Sequence, residues 1–156
     1  MRHTVVAVLG LTALTLAPIL SRQVEGAPFQ RTVPFVLDQW VDVGFQDGPV
    51  TIHRLRVERK GGLKGFKSVL SRPGNTEFLQ DVQIQIEFSN TSTSDWKVKA
   101  NVVWLDASDQ VIDGYRGSQG LGDGDSHALA TMLFSTLKYG LGVARRLRVQ
   151  LEVEPD

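Results

Sequence analysis

Four arginines carry the clearest chemical signal in this 156-residue chain. Arg54 and Arg56 stand two apart, and so do Arg146 and Arg148. Side chains two apart on a strand leave from the same face. A guanidinium presents planar, paired donors that fit carboxylate, phosphate or sulfate groups. The two pairs therefore predict an anion-attracting surface, provided that both strands share one sheet. The first pair lies in the most basic stretch of the chain. From His53 to Arg72 there are Arg54, Arg56, Arg59, Lys60, Lys64, Lys67 and Arg72, against Glu58 as the one acid. An envelope protein with an acidic face, or an anionic polymer, is the expected partner. The competing reading is an ordinary solvated face, because exposed ion pairs contribute little.

The other reactive side chains form no recognisable constellation. His53 and His127 lack the spacing of a zinc motif, and no metal site is expected from them. His53 reads as a core or rim histidine, and His127 as a partner in a loop hydrogen bond. Asp123-Gly124-Asp125 and the trio Asp106, Asp109 and Asp113 resemble calcium ligands in type. Counting from Asp123, however, Phe134 occupies the place of the closing glutamate, and turn chemistry explains these aspartates better. No Gly-x-Ser-x-Gly elbow is present, and Gly61-Gly62-Leu63-Lys64-Gly65 lacks the ending of a phosphate loop. No catalytic residue and no cofactor are expected. Trp40, Trp96 and Trp104 could line a sugar platform, yet the last two share an apolar strand face and read as core. Asn90-Thr91-Ser92 matches a glycosylation sequon.

The address lies at the start of the chain. Arg2 and His3 precede an uncharged run from Thr4 to Leu20, and Gly26 and Ala27 supply a small-residue exit. This pattern predicts a signal peptide over residues 1–26 and a secreted or periplasmic protein. The alternative is an uncleaved anchor, which would be the chain's one contact with a membrane. The run is slightly short for a span, and Pro18 interrupts it. Of 17 basic and 17 acidic side chains, residues 1–26 hold two and one, leaving a near-neutral remainder. That balance argues against nucleic acid as a partner. With no cysteine, the fold has no disulfide framework and must rely on packing and strand pairing.

What must position these residues is a set of strands. Val82, Ile84, Ile86 and Phe88 alternate with polar residues, and so do Trp96, Val98, Ala100, Val102 and Trp104. They read as the central pair of an antiparallel sheet, joined by the polar turn 90–95. Around them, 27–34 reads as a flexible leader and Phe35 to Phe45 as a first strand. Val50 to Lys60 is a second strand with a bulge where the alternation swaps at Ile52 and His53. Residues 61–75 read as irregular. Val111 to Gln119, with Gly114 and Gly117, reads as an edge or bulged strand. Ser126 to Leu137 fits a strand, or a helix with a Leu129, Leu133 and Leu137 stripe; strand neighbours favour the strand. A turn or helical turn over Tyr139 to Ala144 leads into a strand from Arg146 to Glu154. The sum is one all-β domain over 35–156, an Ig-like antiparallel sandwich of six to eight strands. Phe88, Val102, Trp104, Leu147 and Val149 should share its core.

The stretch from Asn90 to Asp106 resembles the FxLYD family of Ig-like extracytoplasmic domains. Asn90 stands at that family's asparagine turn, and Val102-Val103-Trp104-Leu105-Asp106 at its signature, of which Asp106 keeps the identity. The resemblance implies an envelope-associated β-domain and transfers no catalytic residue. The sequence thus points to a non-enzymatic binding module. The alternatives are an assembly subunit pairing by an edge strand, or a hydrolase with a non-standard Asp/Ser/His site.

Overall fold

A computed structural model describes residues 28–60 and 78–156. Eight strands and one short helix follow in order: β1 (Phe29–Pro34), β2 (Val41–Asp47), β3 (Val50–Lys60), β4 (Leu79–Asn90), β5 (Trp96–Leu105), β6 (Val111–Leu121), β7 (Ala128–Leu137), α1 (Lys138–Val143) and β8 (Arg146–Pro155). They form two antiparallel four-stranded sheets, ordered β1-β8-β5-β6 and β2-β3-β4-β7. The expected Ig-like all-β sandwich is therefore the observed one. Residues 1–27, which include the expected signal peptide, and 61–77 lie outside the described residues. No helix among the described residues is long and apolar enough to cross a membrane.

The alternation explains the layers. Ile52, Leu55 and Val57 of β3 and Val82, Ile84, Ile86 and Phe88 of β4 are buried together with Val98, Ala100, Val102 and Trp104 of β5. Leu147, Val149, Leu151 and Val153 of β8 join the same core, so the five residues expected to share it do. Trp104 is fully enclosed. Its ring lies 5.5 Å from Phe134 and 5.8 Å from Phe35, near the middle of the sandwich.

The central pair is not a pair. β4 belongs to one sheet and β5 to the other, so 90–95 is an arch between layers. Alternation sets which face is apolar, but two strands on opposite sides of a core show the same pattern as two neighbours. Asn90 makes the crossing. Its side chain is fully buried; Nδ2 donates to Ser94 O at 2.9 Å, and Oδ1 accepts from Ser92 N and Oγ. An amide held at both ends inside the fold is closed to glycosylation, which removes the sequon reading. A second correction concerns 27–34. Phe29–Pro34 is no flexible leader but a strand, β1, that pairs along β8 from Phe29↔Leu151 to Pro34↔Arg146.

The first expected strand also begins later, at Val41, because residues 35–40 form an irregular connection. Gly48 turns β2 into β3 with φ +54°, a conformation that costs glycine little. The β3 bulge falls between Ile52 and Arg54, as the swapped alternation required. β6 is an edge strand, 128–137 is a strand, and α1 is the helical turn before β8. Gly114 of β6 has a packing reason: a Cβ there would stand 2.5 Å from Val102 O. In the β5–β6 hairpin the Asp106 carboxylate accepts from the N–H groups of Ser108 and Gln110.

Candidate functional site

The two arginine pairs do not meet. β3 lies in the second sheet and β8 in the first, and both pairs point away from the core. They occupy opposite outer faces, so the expected four-arginine surface does not exist. Arg146 is bound to Asp109, with Nη1 2.8 Å from Oδ2. Arg148 is half-buried, and its Nε finds no partner among the described residues. On that face Lys97 and Lys99 pair with Glu152 and Glu154 across β5 and β8.

Arg54 and Arg56 have different surroundings. The guanidinium carbons of both lie 4.6 Å from the centroid of Trp40. Arg54 Nε donates to Glu87, and Arg56 Nε donates to Gln85, directly across the β3–β4 ladder. Arg56 also approaches Glu58 at 3.7 Å. The basic run that looked segregated in sequence is thus interleaved with β4's acids and amides.

Trp40 is held there by the loop before it. Asp38 takes φ +64° and its N–H donates to Val57 O at 2.8 Å, which lays the loop along β3. Its carboxylate then accepts from the N, Nε and Nη2 of Arg59. The backbone N–H of Arg59 and the guanidinium beside it hold the Asp38 carboxyl below the usual carboxylate range. A non-glycine residue at positive φ carries strain, offset here by these bonds. Trp96 and Trp104 pack on or in the core, so the three indoles make no common platform.

A polar cluster continues from Glu87. Its second oxygen is 2.7 Å from His127 Nδ1, and the carboxylate is only 7% exposed although it faces outward. His127 sits at φ +53°, and its N–H donates to Ser89 Oγ at 3.1 Å. The rings of His127 and His53 stack with centroids 4.3 Å apart, and His53 Nε2 is 2.8 Å from Ser89 Oγ. The two histidines were read separately as a core or rim residue and a loop residue. They meet because the β3 bulge at His53 turns that side chain toward the end of β4, where β7 begins. The alternation swap was the one sequence signal for this meeting.

Glu87 makes the cluster sensitive to acid. Hydrogen bonds from His127 and then Arg54, opposed by burial, hold its carboxyl below the ordinary 4.5. A depressed folded-state value stabilises fully above the ordinary one, and the contribution disappears as pH falls through the lowered value. Glu87→Gln should therefore melt earlier than wild type at neutral pH but lose less on acidification to about pH 3. Thermal midpoints across that range check it. Parallel curves for the two proteins would contradict the assignment.

No family model and no curated protein matches the sequence. Among solved structures, the Avr2 effector protein from the fungal plant pathogen Fusarium oxysporum is similar over 65% of this chain and 86% of its own, at 10% identity and a TM-score of 0.27. A DUF1425 family member from Shewanella sp. pv-4 is similar over 76% of this chain and 96% of its own, at 13% identity and a TM-score of 0.30. Similarity at these levels assigns neither a family nor a function.

Proposed function

We propose that the protein is an exported, non-enzymatic binding module that works through the outer face of its second sheet. The observation that carries this reading is Trp40 under the two guanidinium groups. An indole outside the core adds little to folding, yet Asp38, Arg54, Arg56 and Arg59 hold it in place. Tryptophan and arginine are the side chains that dominate binding interfaces. Arg54 spends its Nε on Glu87 and stays 43% exposed, so its outer nitrogens remain available to a carboxylate, phosphate or sulfate. The partner that fits is an acidic protein face or an anionic polymer of the cell envelope or its surroundings. An envelope-associated domain of FxLYD type would suit the same role.

Nuclear magnetic resonance titration with polyglutamate and with a sulfated polysaccharide tests this. Amide shifts should concentrate at Trp40, Arg54, Arg56 and Glu87 and weaken with salt, since exposed charges are screened over about 8 Å at physiological ionic strength. Shifts spread over both sheets, or none, would contradict the reading.

One observation favours a second reading, hydrolysis. His53 Nε2 stands beside Ser89 Oγ as a base would. Glu87 is bonded to His127 instead of His53, so the base lacks the orienting carboxylate of a triad. Covalent labelling of Ser89 by a fluorophosphonate would support hydrolysis over binding.

A further inference from the structure

Four strands end the two sheets, β1, β6, β2 and β7. An edge strand presents a row of backbone donors and acceptors, and stable monomers blunt such rows with charge, proline, glycine or a bulge. Three of these edges are blunted. β1 carries Arg31 and closes on Pro34. β2 has Asp42, Asp47 and a register shift between Asp42 and Phe45. β6 carries Asp113, Arg116, Gly114, Gly117 and Gly120. β7, with the sequence ALATMLFSTL, has no charge, no proline, no glycine and an unbroken register against β4.

The outer face of β7 is also apolar in an ordered way. Pairing with Glu87, Gln85, Gln83, Asp81 and Leu79 places Leu129, Thr131, Leu133, Ser135 and Leu137 on that face. Leu129 is 51% exposed and Leu137 48% exposed, large values for side chains of this kind. The order leucine, hydroxyl, leucine, hydroxyl, leucine reads the same in both directions.

We propose that β7 pairs antiparallel with β7 of a second copy of this chain, about a two-fold axis at Leu133. In that register Leu129 faces the other copy's Leu137, Thr131 faces its Ser135, and the two Leu133 side chains face each other. Every leucine meets a leucine and every hydroxyl a hydroxyl; a shift by two residues would break each match. A shift by one would set outer residues against inner ones. Charge supports the same direction. Asp123 and Asp125 precede β7 and Lys138 follows it, so antiparallel pairing brings acid toward base at both ends. The symmetry is isologous, as in most homodimers. The two second sheets become one eight-stranded sheet, with two Trp40 platforms on its outer face.

Cysteine cross-linking tests the register cleanly, because the chain has no cysteine of its own. Under mild oxidation, L133C should form a disulfide-linked dimer, since directly opposed residues of an antiparallel pair are within disulfide reach. T131C alone should stay unlinked, and T131C/S135C should link. S118C, on the β6 edge, should stay unlinked. In light scattering the wild-type protein should have twice the mass of one chain. L133K should raise the dimer's dissociation constant by about tenfold or more by setting two cations face to face. Circular dichroism and thermal melting show whether that variant is folded. A wild-type protein that stays monomeric at high concentration would overturn the proposal. Linking of S118C in place of L133C, or of T131C as readily as L133C, would do the same.

Discussion

Replacing Trp104 with alanine is expected to destabilise the fold by about 3–5 kcal/mol, as large aromatic truncations in cores do. The indole has no solvent exposure and lies between Phe35 and Phe134. It is contributed by β5 of the first sheet, while Phe134 comes from β7 of the second, so the contact ties the two layers together. Truncation leaves a cavity that two sheets tied by hairpins and arches can close only in part. For a domain of this size the thermal midpoint should fall by roughly 10–20 °C. Trp104→Phe should cost much less. Its buried Nε1 has no acceptor among the described residues, and the change removes that unpaired donor while keeping a ring. Thermal denaturation of both variants checks the ranking; equal losses, or an unchanged midpoint for alanine, would contradict the packing.

The second large effect should come from Asn90→Ala. One side chain serves Ser94 O, Leu121 O, Ser92 N and Ser92 Oγ where the chain crosses from β4 to β5. Alanine would leave several of these groups buried without partners, at about 1–3 kcal/mol for each that water cannot reach. A loss of about 2–4 kcal/mol is the expected result. Thr91→Ala, at the exposed neighbour, should change stability by less than about 0.5 kcal/mol. Urea unfolding midpoints separate the two; similar losses would mean that Asn90 is not the arch's organiser.

Much of the fold was legible because it rests on period-two burial. β3, β5 and β8 begin where the alternation begins, at Val50, Trp96 and Arg146. Neighbour relations were less legible. Val82–Phe88 and Trp96–Trp104 carry identical face signals, and nothing local says that Asn90 sends the second across the core. β1 was missed because Gln30, Arg31 and Thr32 show no alternation, and an edge strand exposed on both faces needs none. The candidate site depended on these long-range relations. The spacing of Arg54 and Arg56 did place both on one outer face, as expected. Their neighbours Glu87, Gln85 and Trp40 follow from register across β3 and β4 and from a positive φ at Asp38, which no spacing announces. The arginines of β8 went to the other face because sheet membership is a property of topology.

The central claim is that binding belongs to the second sheet's outer face and not to charge in general. The most direct measurement compares two double charge reversals, Arg54→Glu with Arg56→Glu and Arg146→Glu with Arg148→Glu, which change net charge equally. Each is tested for binding to fluorescently labelled polyglutamate and sulfated polysaccharide at two salt concentrations, with thermal melting to confirm folding. The account predicts that the first pair abolishes salt-sensitive binding while the second leaves it within about twofold, as for a distant rim charge. Equal loss from both pairs, or loss from the Arg146 and Arg148 pair alone, would contradict it.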